Sequence, residues 1–173
     1  MHARNAKLPD AFAIEQLIQV HVGDGTLLPR SLAEICENIR DFIVVENEDE
    51  IVGCGALHLY GMHLAEIRSI TVTNNSKGKG AGRVLIDALM KEAQKQSVTC
   101  VCLFTRIPAF FARMGFREVE KEALPDKIFK DCIKCSRRNA CDEIAMYRGT
   151  LPKVTARNIR APRDVVQIMP MHA

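Results

Sequence analysis

The chain has no tryptophan, only two tyrosines, and 5% aromatic residues among its 173. It has no apolar run near the ~20 residues that a membrane-spanning helix needs, and Met1 to Asn5 lack the apolar core of a signal peptide. These absences predict a cytoplasmic protein with no membrane partner. The composition, 47% hydrophobic and 26% charged, is that of a globular domain with a full core.

Residues 1–150 have no net positive charge. The net charge is +3, and residues 151–173 hold four basic residues and one acidic residue, which leaves 20 basic and 20 acidic groups in residues 1–150. Because a nucleic-acid surface usually needs a basic face on the folded body, no nucleic-acid partner is expected. We predict one domain over residues 1–150 and a basic C-terminal tail of unknown role over residues 151–173.

The seven cysteines make an odd number, and several lie within apolar runs: Cys54, Cys100 and Cys102. A reduced cysteine in such a run packs as a small hydrophobic residue, so a disulfide framework is not expected. The spacing that best suits a metal is that of Cys132, Cys135 and Cys141. Because a structural zinc site takes four ligands, we predict no metal and keep zinc at these thiols as the alternative.

Apolar periodicity predicts helices alternating with strands. Asp10 and Ser31 can each cap a helix, and further helices begin at Ala81 and Pro108. Strands are predicted over residues 4–7, 42–46, 51–58, 64–72, 98–104, 116–119 and 143–148. Strand 64–72, a helix and the apolar strand 98–104 in succession predict a right-handed β-α-β crossover. The expected fold class is α/β, with a mixed sheet.

A glycine-rich segment joins strand 64–72 to the helix after it. Three glycines at alternate positions are flanked by basic residues: Lys77, Gly78, Lys79, Gly80, Gly82 and Arg83. The glycines leave the main chain unshielded where a helix begins, so several N–H groups can converge on one anion. The spacing fits neither a P-loop nor a dinucleotide fingerprint. A pyrophosphate site is predicted, and a turn that only caps the helix is the alternative.

Three motifs together resemble the GCN5-related N-acetyltransferases (GNAT) in order and spacing: Ile70-Thr71-Val72, Lys77 to Arg83, and Phe110-Phe111-x-x-x-Gly115-Phe116. The resemblance implies a single domain with a mostly antiparallel central sheet, a splayed strand pair and flanking helices. It also implies acetyl-CoA as cosubstrate, with the pantetheine arm between the splayed strands. The implied coenzyme residues are Ile70, Thr71, Val72, Lys77, Gly78, Lys79, Gly80, Ala81, Gly82, Arg83 and Phe111.

Further segments spread over residues 10–148 resemble the single-domain bacterial amino-acid N-acetyltransferases that form N-acetylglutamate for arginine synthesis: Gly23 to Arg30, Gly53 to His58, Glu66 to Ser69, Leu103 to Arg106 and Leu124 to Lys127. This resemblance implies acetyl transfer to the α-amino group of L-glutamate, and a possible homodimer. Glutamine, aspartate or another small amine stays open as the substrate. Outside the enzymes, a non-catalytic acyl-CoA-binding module is the alternative.

Amide formation from a thioester needs an uncharged amine, so a base must take the ammonium proton. The resemblance places an acidic residue on strand 64–72, and Glu66 is the predicted base. A solvated carboxylate or an ion-pair partner of Arg68 is the alternative. Many relatives have a tyrosine facing the leaving thiolate where this chain has Phe111, so no side-chain acid is predicted there.

Two substrate carboxylates need fixed cations, and arginine suits them because its fork binds a carboxylate at two points. We predict Arg68 first, Arg106 and Lys127 next, and Arg30 last. Main-chain N–H groups around Ile70 to Val72 are the predicted donors to the thioester oxygen. The expected reaction is direct attack in a ternary complex.

Overall fold

The structure is a computed structural model that describes residues 1–135 and 137–152. Of the predicted tail, only Leu151 and Pro152 lie within these residues, and Leu151 packs against side chains of the sheet. The rest of the tail lies outside the described residues. The boundary at residue 150 therefore stays a prediction.

One seven-stranded sheet forms the centre of the fold, with the strand order β1-β2-β3-β4-β5-β7-β6. Neighbouring strands are antiparallel except β4 and β5, which are parallel. The predicted α/β class with a mixed, mostly antiparallel sheet is confirmed. The bounds are β1 (His2–Asn5), β2 (Phe42–Asn47), β3 (Glu50–Gly61), β4 (Leu64–Val72), β5 (Cys100–Thr105), β6 (Arg117–Glu118) and β7 (Ile144–Gly149).

The α-helices of the described residues are α1 (Ala11–Gln19), α2 (Leu32–Glu37), α3 (Ala81–Lys95), α4 (Pro108–Ala112) and α5 (Pro125–Lys130). Ser31 caps α2 as predicted, because its Oγ accepts from the Glu34 N–H at 3.3 Å while the Glu34 carboxylate accepts from the Ser31 N–H at 2.9 Å. Asp10 is the N-cap residue of α1, as predicted, but its side chain makes no capping hydrogen bond to that helix. The Asp10 carboxylate accepts instead from the Lys7 N–H at 2.7 Å and from Arg4.

Helix α3 covers one face of the sheet. Its apolar side, including Leu85, Ile86 and Leu89, is fully buried in the largest core, and each such side chain contributes about 1.5–3 kcal/mol. Its opposite side exposes Lys91 and Lys95. This amphipathic pattern holds α3 against the sheet and fixes where its N-terminus lies.

The other face of the sheet carries two smaller cores. Helices α1 and α2 cover β2 and β3 around Phe42 and Val44. Leu64 on β4 and Leu124, just before α5, belong to a separate core with side chains of β5 and β7. The polar residues of β3 and β4 described below lie between these two cores.

No helix in residues 1–135 and 137–152 has both the length and the apolar surface needed to cross a bilayer. The longest of them, α3, has 15 residues and an exposed charged side.

Candidate active site

The parallel strands β4 and β5 separate soon after they meet. They pair only at Ala65 with Val101 and at Glu66 with Cys102. From Ile67 to Val72, β4 pairs with β3 but has no partner on β5. This is the splayed strand pair that the resemblance implied, and it leaves a strand edge to which an extended ligand can bind through main-chain hydrogen bonds.

A bulge in β4 lies at the splay. Ala56 of β3 faces Arg68, but Cys54 faces Thr71, so β4 has one extra residue there. Ser69 has a φ of 54°, in the left-handed region, which costs a non-glycine residue on the order of 1–3 kcal/mol and recurs at functional sites. The Arg30 Nε donates to the Ser69 Oγ at 3.1 Å.

The bulge changes the face of the sheet on which the later side chains of β4 lie. Ile67, before the bulge, and Ile70 and Val72, after it, all pack in the core beneath α3. In a regular strand, odd and even residues point to opposite faces, so these three share a face only because Ser69 is inserted between them. Without the bulge, Ile70 and Val72 would lie on the face of Glu66.

The glycine loop surrounds open space beside the start of α3. Gly78 and Gly80 have φ values of 76° and 91°, and a β-carbon on either would meet no atom within 4 Å. Gly80 is the N-cap of α3, so the N–H groups of the first helical turn have no acceptor within the helix. Lys77 and Lys79 are exposed. Donors and positive charge around an open loop fit a phosphate group.

Two phenylalanines of α4 lie near this loop but differ in exposure. Phe111 is 3% exposed and contacts Phe110 and Phe116 edge to face. Phe110 is half-buried, and its Cζ would lie 3.1 Å from a β-carbon added at Gly82. The structure therefore places Phe111 in the core and Phe110 beside the loop.

The predicted base lies at the other end of β4, on the face away from α3. Glu66 is 3% exposed, and Lys127 of α5 lies over it, with its Nζ 2.8 Å from Oε1 and 3.0 Å from Oε2. Burial lowers the pKa of Lys127, but the charges of Glu66 and Asp131 outweigh it, and the pKa is raised overall. Glu66 is therefore neither solvated nor paired with Arg68. Its cation is Lys127.

Tyr60 connects Glu66 to a second carboxylate. The Tyr60 Oη is 2.9 Å from the Glu66 Oε2 and 2.6 Å from the Asp131 Oδ2. Burial, followed by the charge of Glu66 and the hydrogen bond to Asp131, raises the pKa of Tyr60 well above its usual range. Burial raises the pKa of Asp131, but Tyr60, Lys127 and Arg68 outweigh it and lower the pKa overall.

Arg68 lies next to this group. Its Nη1 is 3.7 Å from the Asp131 Oδ2, and its Nη2 is 3.1 Å from the His58 Nδ1. Lys130 approaches the other ring nitrogen of His58 at 3.0 Å, and Asp41 lies 3.6 Å from Nδ1. His58 is paired with Glu66 across β3 and β4. Because its Nδ1 contacts the guanidinium of Arg68, the imidazole helps to position Arg68.

The remaining predicted cations have different surroundings. Arg30 reaches β4 through Ser69, and burial and the positive charge of Arg68 lower its pKa. Arg106 binds Asp142 at 2.8 Å and the Gly25 carbonyl oxygen at 3.1 Å, so its contacts hold two loops together. The structure thus gathers Arg30, Arg68 and Lys127 around Glu66 and directs Arg106 elsewhere.

Comparison with known proteins shows the family of this chain. Residues 38–118 match the family described as an acetyltransferase (GNAT) domain. An N-acetyltransferase of Chlorobaculum tepidum is 43% identical over 145 residues, covering 84% of this chain and 94% of that protein. The chain belongs to the GNAT acetyltransferase family. It is an enzyme, an acetyl-CoA-dependent N-acetyltransferase.

A sequence and a crystal structure from Mycobacterium tuberculosis give more detail about the relatives of this chain. An amino-acid acetyltransferase of this organism is 34% identical to the GNAT chain over 134 residues, covering 76% of each. A crystal structure of a protein from the same organism, in complex with CoA and a second ligand, has a TM-score of 0.76 and 29% identity, covering 87% of this chain and 100% of that one. The predicted family is confirmed, and so is the predicted acetyl-CoA.

The three buried thiols of this acetyltransferase do not favour an acyl-enzyme. Burial raises the pKa of Cys54 to about 12 and that of Cys100 to about 11, and it raises the pKa of Cys102 further. A thiolate is the nucleophilic form. These buried cysteines are therefore protonated at neutral pH and poor nucleophiles.

The three-cysteine alternative also lacks geometric support. Within residues 1–135 and 137–152, no three side chains of the ligating types come together as a metal site. Cys141 instead lies 3.2 Å from the Lys121 Nζ. The spacing of Cys132, Cys135 and Cys141 thus does not correspond to a convergent ligand set.

Sequence reasoning missed three features of this site. The sequence contains a signal for the bulge, because apolar residues shift from odd to even positions across Ser69. It also contains a signal for the contact of Asp131 with Lys127, since the two residues have helical i,i+4 spacing. Tyr60 lies two residues after His58, and so on the same strand face, but nothing local indicates that it bridges two carboxylates.

Proposed function

We propose that this acetyltransferase transfers the acetyl group of acetyl-CoA to the α-amino group of L-glutamate, as the first step of arginine biosynthesis. The observation that carries the proposal is the position of Arg30. Its guanidinium lies beside Ser69 next to Arg68, and among the described residues no carboxylate forms an ion pair with it. Two neighbouring arginines, one of them free of an acidic partner, suit a substrate with a second carboxylate.

In the proposed reaction, Glu66 accepts the proton of the substrate ammonium, directly or through water, and Lys127 keeps this carboxylate in place. Main-chain N–H groups near the bulge, around Ile70 to Val72, donate to the thioester oxygen as charge develops on it. The amine attacks directly in a ternary complex. Burial of the thiols described above supports direct attack over a covalent intermediate.

The proposed coenzyme residues are those of the splay and the glycine loop: Ile70, Thr71, Val72, Lys77, Gly78, Lys79, Gly80, Ala81, Gly82 and Arg83. Positive φ values, open space and helix N–H groups support the loop part of this assignment. The splayed edge of β4 supports the strand part. Phe110 is a better candidate than the buried Phe111 for contact with the coenzyme. We take residues 1–150 as the catalytic domain.

The test is release of thiol from acetyl-CoA with a panel of glutamate, glutamine, aspartate and small amines. We expect the highest kcat/KM with glutamate, by about tenfold or more over glutamine, because an arginine left without its carboxylate loses about 1.5–3 kcal/mol. A higher kcat/KM with another amine would contradict the assignment of glutamate. Binding of acetyl-CoA without turnover of any amine would instead favour the non-catalytic module.

A further inference from the structure

Tyr60 forms a bridge between Glu66 and Asp131, but its hydroxyl has only one proton for the two contacts. A phenol has one hydrogen, so Tyr60 donates to either Glu66 or Asp131 at any moment. Both oxygens are nevertheless within hydrogen-bond distance of its Oη, at 2.9 Å and 2.6 Å. The second contact becomes a hydrogen bond only when a carboxyl group carries a proton. The three groups are thus arranged to hold one additional proton.

The charges in direct contact with the bridge are balanced before that proton arrives. Lys127 contacts Glu66 at 2.8 Å and Asp131 at 3.3 Å, and Arg68 lies 3.7 Å from Asp131. Two carboxylates therefore face two cations. Further titratable groups lie around the bridge: Cys102 opposite Glu66, His58 and Lys130 against the Tyr60 ring, Asp41 beside His58, and Arg30 and Cys132 near Glu66.

The two carboxylates differ in their access to water. The side chain of Glu66 is 4% exposed, whereas that of Asp131 is 28% exposed. Glu66 must lose the accepted proton before the next turnover, yet little of its own surface meets solvent. The Tyr60 hydroxyl contacts both Glu66 and Asp131, and the Asp131 carboxylate does meet solvent.

We propose that Tyr60 and Asp131 form a proton relay that carries the substrate proton from Glu66 to solvent. As the Glu66 Oε2 passes its proton to the Tyr60 Oη, the phenol's own proton moves to the Asp131 Oδ2. Asp131 then releases that proton to water. Tyr60 has one proton before and after the shift, and no oxidant or reductant takes part. The relay rests on the proposed function of Glu66 as the base, but not on the identity of the amine.

Both relay residues act through Glu66 and are therefore positioning residues. The competing role is purely structural, in which they only hold the Glu66 side chain. Asp131→Asn separates these roles, because the amide oxygen still accepts from Tyr60 but the amide cannot take up the relayed proton. Tyr60→Phe removes the hydroxyl and keeps the ring.

The kinetic test measures kcat for both variants from pH 6 to 9, with whichever amine of the panel is turned over. We expect kcat at pH 7 to fall by about tenfold or more, with the KM for acetyl-CoA nearly unchanged. The defect should shrink as pH rises, because more of the amine then arrives uncharged. Added imidazole should restore part of the rate of Asp131→Asn. Asp126→Asn, in the helix α5 that Asp131 directly follows, and Tyr147→Phe, at the other tyrosine, are the matched controls.

A rate defect that is independent of pH and insensitive to imidazole would overturn the relay in favour of the structural role. So would full activity of both variants. Turnover of an amine other than glutamate would overturn the substrate assignment and leave the relay test valid. Absence of turnover with every amine would overturn both proposals.

A second measurement does not depend on turnover. With 13C-labelled carboxyl groups followed by NMR, the pKa of Asp131 should be higher in Tyr60→Phe than in the unsubstituted protein, because the phenol hydrogen bond lowers it. An unchanged pKa would show that Tyr60 does not donate to Asp131, and would overturn the relay whatever the substrate is.

Discussion

The two ends of β4 are built in different ways. The proposed coenzyme end is formed by consecutive residues, Lys77 to Arg83, that contribute mainly main-chain N–H groups and open space. The proposed amino-acid end is formed by side chains from distant segments, with Arg30 and Asp131 a hundred residues apart in the sequence. We infer that backbone geometry controls the coenzyme KM, whereas individual side chains control kcat and the amino-acid KM.

The largest expected effect is at the amino-acid end, with Glu66→Gln. Loss of the base should lower kcat by about 100-fold to 10,000-fold. It also leaves Lys127 buried with only Asp131, 3.3 Å away, as its anion, which costs up to about 3–5 kcal/mol of stability. Thiol release from pH 6 to 9, measured below the melting temperature, checks the first effect, and a thermal scan checks the second.

The double variant Glu66→Gln with Lys127→Gln is the control for that experiment. Removing both charges should recover part of the melting temperature but not kcat. Full kcat in Glu66→Gln at neutral and mildly acidic pH would show that Glu66 is not the base.

Next in size is Arg68→Ala, which tests whether the amino-acid end acts independently of the coenzyme. Loss of charge-assisted hydrogen bonds worth about 1.5–3 kcal/mol should raise the KM for glutamate by about 10-fold to 100-fold. The KM for acetyl-CoA should be nearly unchanged. Arg106→Ala is the control, because its side chain binds Asp142 and Gly25, and it should have a smaller effect. Equal changes in both KM values would reject the separation of the two ends.

A smaller effect is expected from Gly80→Ala at the coenzyme end. An alanine fits the space there but not the φ of 91°, and such strain costs more than about 1 kcal/mol. We expect the KM for acetyl-CoA to rise about fivefold or more, with the KM for glutamate nearly unchanged. Gly23→Ala is the matched control, since a β-carbon there meets no atom within 4 Å and its φ is not left-handed. A similar KM change in both variants would argue against the role of loop geometry.

The smallest expected effect is from Ser31→Ala, next to Arg30. Loss of the capping hydrogen bond should cost about 1 kcal/mol and lower the melting temperature by about 2–4 °C. Activity should change little, because Arg30 keeps its contact with Ser69. Ser31→Asp preserves a capping carboxylate and should melt near the unsubstituted protein. If the aspartate variant loses as much stability as the alanine variant, capping is not the cause.

This difference between the two ends also explains which features of the protein could be predicted from its sequence. The sheet, the β-α-β unit and the glycine loop follow from periodicity and local spacing, because each depends on residues close together in sequence. The amino-acid end depends on how α5 packs across the sheet, which local patterns do not encode. Lys127 could be suggested only by resemblance, and Tyr60 and Asp131 not at all. Arg30, ranked last, lies beside Arg68, whereas Arg106, ranked above it, joins two loops.

The bulge at Ser69 also makes β4 easier to change over evolutionary time. On one side of it, Glu66 and Arg68 lie on the face proposed to bind the amino acid; on the other, the corresponding positions belong to the core beneath α3. A lineage can therefore alter the chemistry around Glu66 and Arg68 while the strand stays anchored through Ile70 and Val72. Selectivity for the acceptor amine can diverge in this way without a change in the residues proposed to bind the acyl donor.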